Sequence, residues 1–213
     1  MDRQCRMLGH QKGRRVLNPQ RQSGVSLIEL LIGIAIFGVL IALGAPAYRT
    51  WLQNAQIRTA ADSIQSGLQV AKIEAIRRNV RMRFALWDDT NSTSSWRVCT
   101  YNVADPKCLI ASTVVQSRTG SEGSANVQIG ADDVLGNLLT PLNPGDGLPG
   151  SISFDQFGRV PLAPGGDLVR IDVRNPKISA SDERRLDLLV NSSGQIRFCD
   201  PKLSLATNPQ GCV

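Results

Sequence analysis

Histidine is nearly absent from this chain: His10 is the only one in 213 residues, and it lies in the first stretch, ahead of any folded region. Without an imidazole in the body of the protein, the commonest general base is missing, and no Ser/Lys pair, paired carboxylates or metal-ligand spacing takes its place. The chain is therefore read as not an enzyme, with no metal and no cofactor. Long apolar runs are also scarce. There is one, which excludes a multi-span membrane protein, while 42% hydrophobic against 20% charged residues excludes wholesale disorder. Acidic residues are missing from the beginning: Arg3, Arg6, Lys12, Arg14, Arg15 and Arg21 precede Gly24 with only Asp2 against them. That segment carries most of the formal charge of +6, and without it 18 basic residues face 17 acidic ones. A nucleic-acid reading based on net charge alone fails for this reason.

The apolar run spans Leu30 to Tyr48, 19 residues without a charge. As a helix at about 1.5 Å per residue it crosses about one bilayer core. The basic flank should stay cytoplasmic, so the rest of the chain is expected on the far side of the membrane. An ordinary secretory signal with cleavage near Ala45 or Ala47 is one reading of this pattern. Against it stand the long basic region and a carboxylate, Glu29, abutting the run. A carboxylate at a membrane helix usually has a defined partner.

The residues around it, Ser23-Gly24-Val25-Ser26-Leu27-Ile28-Glu29-Leu30-Leu31, resemble the prepilin signature of type IV pilins and type II secretion pseudopilins. The resemblance implies cleavage after Gly24 by a prepilin peptidase and N-methylation of the new terminus at Val25. It also makes Glu29 the fifth mature residue, an assembly contact that pairs with the amine of a neighbouring subunit. Pro46 falls at the twenty-second mature position, where the family often carries a helix-kinking proline. Val25 departs from the family's usual Phe or Met. Gly33, Gly38 and Gly44 permit close helix contact.

Beyond Pro46, Ile57, Ala61, Ile64, Leu68, Ala71 and Ala75 recur with helical period and predict a surface helix to about Asn79, packed by this stripe on a head. The helix segment 49–83 has a net charge of +5, whereas 84–213 has −3, so no broad basic face is visible. Short β runs follow: Met82–Trp87, Ser95–Tyr101, Leu109–Gln116, Val127–Gly130, Ser151–Phe154, Leu168–Val173, Leu186–Val190 and Gln195–Cys199. In the last two, alternation places Leu186, Leu188 and Val190 on one face with Ile196 and Phe198, and Gln195, Arg197 and Cys199 on the other. Ala131–Gly150, rich in Gly, Pro, Asn and Asp, reads as a long surface loop. Its Gly145-Asp146-Gly147-Leu148-Pro149-Gly150 fits the dinucleotide pattern by letter, but lacks the strand before and the helix after.

Cys5 lies in the leader, which leaves Cys99, Cys108, Cys199 and Cys212. An even count in an exported head argues for two disulfides. Three pairings are open, of which Cys99–Cys108 and Cys199–Cys212 close short local loops, each worth roughly 3 kcal/mol, and are expected. A zinc site is disfavoured by the missing histidine and by the spacing.

The order of helix, Trp96-Arg97-Val98, Ile152 to Arg159, and Gly194 to Pro201 with a final Cys212 resembles the FimT/GspH group of minor pilins and pseudopilins. This implies an α+β, type IV pilin-like fold: a long bent N-terminal helix, membrane half plus amphipathic half, packed on an antiparallel two-sheet β head. The expected organisation is a cleaved basic leader over 1–24, a transmembrane and assembly helix over 25–48, the amphipathic half of the helix over 49–81, and a β-rich head over 82–213. The implied role is a low-copy subunit of a type IV pilus or a type II secretion pseudopilus, single-pass in the bacterial inner membrane with its head in the periplasm. Its implied partners are a prepilin peptidase and other pilins or pseudopilins. Some members resembling FimT bind double-stranded DNA during transformation through Gly-Arg-x-Arg. Here the tetrad is Gly194-Gln195-Ile196-Arg197, one arginine short. The alternative is thus a DNA receptor whose patch comprises Arg197, Lys202, Arg184 and Arg185, with Arg197 expected to contribute most.

Overall fold

A computed structural model describes residues 24–86, 93–134, 136–161 and 169–212. The chain divides into two units, Met1–Leu43 and Gly44–Val213. One helix, α1 (Leu27–Arg78), begins in the first and ends in the second, and is assigned without a break through Pro46. In the first unit, residues 24–43 are all exposed. Their mean hydropathy is that of a membrane span, and the backbone is satisfied internally by the helix, the condition hydrocarbon imposes.

The second unit joins the rest of α1 to two antiparallel four-stranded sheets. The first is ordered β3-β2-β1-β5, from β1 (Met82–Leu86), β2 (Trp96–Thr100), β3 (Val114–Arg118) and β5 (Ser151–Phe154). The second is ordered β4-β6-β7-β8, from β4 (Gln128–Asp132), β6 (Arg170–Arg174), β7 (Leu186–Val190) and β8 (Ile196–Cys199). The apolar stripe of α1, Ile57, Ala61, Ile64, Leu68, Ala71 and Ala75, is fully buried against inward residues of both sheets, among them Phe84, Val98, Phe154, Ile129, Ile171 and Leu188. The helix comes close because Gly67 has no side chain: a Cβ there would lie 2.7 Å from Phe84 Cε2. Beside it the Trp96 indole N–H donates to Ser63 Oγ at 2.8 Å, so the buried indole keeps a partner. The helix stops at Asn79, whose positive φ of 54° and bonded N–H, with that of Val80, close the last turn.

The expected strands are present with shifted ends. The Leu109–Gln116 run opens instead as a 3-10 turn, Ala111–Thr113, and β3 begins at Val114. Trp87 and Leu168 lie outside the described residues. All five residues of β1 are buried, because its outer face is roofed by the Cys99–Cys108 loop. Ala85 packs with the two cysteines, while the Arg83 guanidinium donates to Asn102 O and Asp105 O. The segment read as a surface loop from Ala131 is corrected at both ends. Ala131 and Asp132 belong to β4, and the Gly145 N–H donates to Ile129 O while the Ala131 N–H donates to Asp146 O, so the loop's return arm lies on the edge of β4. Gly147 has φ of 65°, and a Cβ there would meet the Ala131 carbonyl.

Candidate functional site

Glu29 stands in the first turn of α1 between Ile28 and Leu30, both more than half exposed. A carboxylate there complements the partial positive charge of the helix N-terminus, but among the described residues it makes no ion pair within the chain. The helix surface that follows is apolar and open. Gly33, Gly38 and Gly44 have nothing beyond their own helical turn within 4 Å of where a Cβ would be, so each leaves a shallow notch. Lipid or other helices must cover this surface. Gly24 and Val25 are extended residues ahead of the helix, and the leader residues 1–23 lie outside those described.

In the second unit, the disulfides are Cys99–Cys108 and Cys199–Cys212. The second folds the terminal segment back on β8, where Asp200 N–H donates to Gln210 O. Register places Leu188 opposite Phe198 and Val190 opposite Ile196, all packed on the core, with Arg197 on the other face. The four candidate DNA-binding cations are not equivalent. The Arg197 guanidinium donates to Gly211 O within its own disulfide loop. The Lys202 ammonium donates to Ala180 O at 2.6 Å, Glu183 O at 2.7 Å and Ser181 O at 3.4 Å. Arg184 is exposed and lines a groove of about 230 Å³ with Arg58, Asp62, Phe198 and Asp200. Arg185 is 6% exposed, points into the sheet's covered face and ion-pairs with Asp172 at 2.8 Å. As a surface cation it is therefore a correction: strand alternation sends Arg184 out and Arg185 in.

A second basic region closes α1. Arg77 and Arg78 both hold Glu74, whose carboxyl they keep below the usual carboxylate range. The guanidiniums of Arg81 and Arg83 lie 4.0 and 4.3 Å from the Tyr101 ring centroid.

Sequence reasoning passed over the polar cluster on the outer face of the second sheet. Arg170 and Arg185 meet Asp172 and Asp187, none more than 6% exposed, beneath residues 136–146. Burial, and next the charge of Asp172, push the Asp187 carboxyl up to about 7. Burial also raises Asp172, against the pull of Arg185. The signal was the alternation Arg170, Asp172, Arg174 in one strand, which puts three charges on one face. Among the described residues no set of three His, Cys, Asp or Glu side chains converges to hold a metal.

A long helix, apolar and exposed in its first part and packed on two antiparallel sheets in its second, defines a pilin-like protein. The family model described as type II transport protein GspH matches residues 60–194, and the prokaryotic N-terminal methylation motif matches residues 19–45. The chain belongs to the GspH family. It is similar to the type IV major pilin protein PilE1 of Neisseria gonorrhoeae, 32% identical over 113 residues that make up 53% of this chain and 46% of the relative. A fimbrial protein of Moraxella nonliquefaciens is 42% identical over 69 residues, 32% of this chain and 43% of that one. The chain thus spans less than half the length of these curated relatives. The crystal structure of the type IV minor pilin FimU of Pseudomonas aeruginosa aligns over 76% of this chain and 99% of that chain, with a TM-score of 0.48 and 13% identity.

Proposed function

We propose that this chain is a low-copy minor pilin or pseudopilin of the FimT/GspH type, structural rather than catalytic. A prepilin peptidase cuts after Gly24, Val25 becomes the N-methylated terminus, and residues 25–48 anchor the protein in the inner membrane with the head in the periplasm. From there it enters a type IV pilus or a type II secretion pseudopilus. The observation that carries this reading is the methylation motif over 19–45 joined to a helix half whose apolar side chains have no cover in their own chain. Glu29 supplies specificity to otherwise featureless apolar packing. Buried in a bundle of helices, its carboxylate is tolerable only when paired, and the Val25 amine of a neighbour offers the opposite charge. The test is Glu29→Ala, with membrane abundance and incorporation into filaments measured together. Normal abundance with lost incorporation supports the assembly role, and normal incorporation removes it.

The DNA-receptor alternative has less support. Two of its four cations spend donors on backbone carbonyls and a third is internal, whereas phosphate binding draws on several free cations acting together.

A further inference from the structure

Asp172 and Asp187 are directly opposite each other across β6 and β7. Both are fully buried, an arrangement in which two like charges at short range oppose each other's ionisation. Among the described residues, Asp172 Oδ1 and Asp187 Oδ1 accept no hydrogen bond, and Asp187 Oδ2 has only the Arg170 guanidinium at 3.2 Å. The cluster is also what holds the segment above it. Arg170 donates to Asn137 O at 3.2 Å and Thr140 O at 2.9 Å, Arg185 to Leu138 O at 2.6 Å, and Arg174 to Leu142 O at 3.4 Å. Asp172 Oδ2 in turn accepts the Leu142 N–H at 2.8 Å. Gly130 lets this strap sit down on the sheet, since a Cβ there would lie 2.7 Å from Asn143 O. Leu139 is turned outward, 60% exposed.

We propose that residues 136–146 form a proton-operated clasp, closed over the outer face of the second sheet while the Asp172/Asp187 pair shares one proton, and released when that proton is lost to water. The groups facing Asp187 support this. From β6 come Arg170, whose Nη2 is 3.2 Å from Asp187 Oδ2, and Asp172. Ahead of β7 stands Arg185, which is taken up by Asp172 at 2.8 Å. β8 presents the disulfide-bonded Cys199 at this register, and Arg197, further along, is bonded to Gly211 O. Asp132 on β4 lies opposite Arg170. Residues 136–142 offer backbone groups but no ionisable side chain; Asp146, at the end of the strap, accepts the Asn143 N–H, and Arg174 of β6 donates to Leu142 O. The arginines divide their N–H groups between strap and carboxylates, so neither carboxylate is fully compensated.

Opening the clasp hydrates both carboxylates and returns them toward ordinary acidity. The closed form then holds a proton that the open form releases, so acid favours closure. The raised Asp187 carboxyl, at about 7, sets the upper end of the window, and the ordinary carboxylate range near 4 sets the lower. Within it the ratio of open to closed rises with pH, by about tenfold per pH unit. Through Leu139, proton concentration thereby controls how firmly an outward apolar residue is presented.

The experiment is amide hydrogen exchange on the full chain in detergent micelles, from about pH 5 to about pH 8, corrected for the intrinsic dependence of exchange on pH. Leu139, Thr140 and Leu142 report on the strap, and Ile171 and Leu188 on the core. The expected result is a strap opening constant that climbs about tenfold per unit and flattens above about pH 7, without a parallel change in the core. In Asp187→Asn the slope should be lost. If that variant fails to fold, Asp172→Asn, which keeps an acceptor for the Leu142 N–H, should flatten the slope in the same way. Strap protection independent of pH in the parent chain overturns the proposal, as does a slope that the core shares or that the folded variants retain.

Discussion

Gly67 and Ser63 set how closely the helix approaches the first sheet, one by having no side chain and the other by accepting the Trp96 indole N–H. Gly67→Ala places a methyl into the Phe84 and Trp96 rings and should destabilise the head by about 1–3 kcal/mol. Ser63→Ala strands a buried donor and should cost about 1–3 kcal/mol. Denaturant unfolding of the full chain in micelles checks both, and a change under about 0.5 kcal/mol, the range of an ordinary surface substitution, would contradict the packing described. The buried stripe on α1 was legible because a helical period repeats within a few residues. The two contacts above were not, because both reach from the helix to Trp96, which lies 33 residues beyond Ser63. Arg184 and Arg185 were equally opaque as neighbours in the sequence. Only the strand that follows decides which of them faces Asp172.

Among the elements, the two disulfide loops and the strap depend on local closure, and their carboxylates respond to pH in opposite senses. Asp105, within the Cys99–Cys108 loop, accepts the N–H groups of Ile110 and then Leu109 just beyond it, which hold its carboxyl below the ordinary value. What it contributes is present above the ordinary carboxylate range and is lost as pH falls through the lowered value. The opening constant at the Leu109 and Ile110 amides, from exchange corrected for its intrinsic pH dependence, should therefore rise in acid, and Asp105→Asn should abolish that change. An acid response retained in the variant would assign it to another group. Paired replacement of Cys199 and Cys212 by Ser should cost about 3 kcal/mol by freeing the 13-residue closure. It should also release the Arg197 contact with Gly211 O, visible as faster exchange in the terminal segment. Strand positions were legible from alternation and turn residues. The strap was not, because a run of Gly, Pro and Asn looks the same free in solvent or clamped by arginines 30 residues away.

At the scale of the whole molecule, the longest exposed apolar stretch among the described residues is the first half of α1, which bears Glu29. Helical backbone with uncovered apolar side chains requires lipid, other helices or both in succession. The proposed storage in the membrane, followed by extraction into a filament, would supply both. The methylation motif and the exposed apolar half of α1 were legible from Gly24, Glu29 and the uncharged run taken in register, since both are local in sequence. The charged cluster beneath the strap was written in long-range contacts and stayed hidden. A retained helix is what separates this account from simple secretion, so the decisive measurement is the intact mass and terminal peptide of the membrane-extracted protein. The account predicts a chain that begins at N-methylated Val25. A terminus beyond Ala45, or an unprocessed chain in cells with active prepilin peptidase, would contradict it.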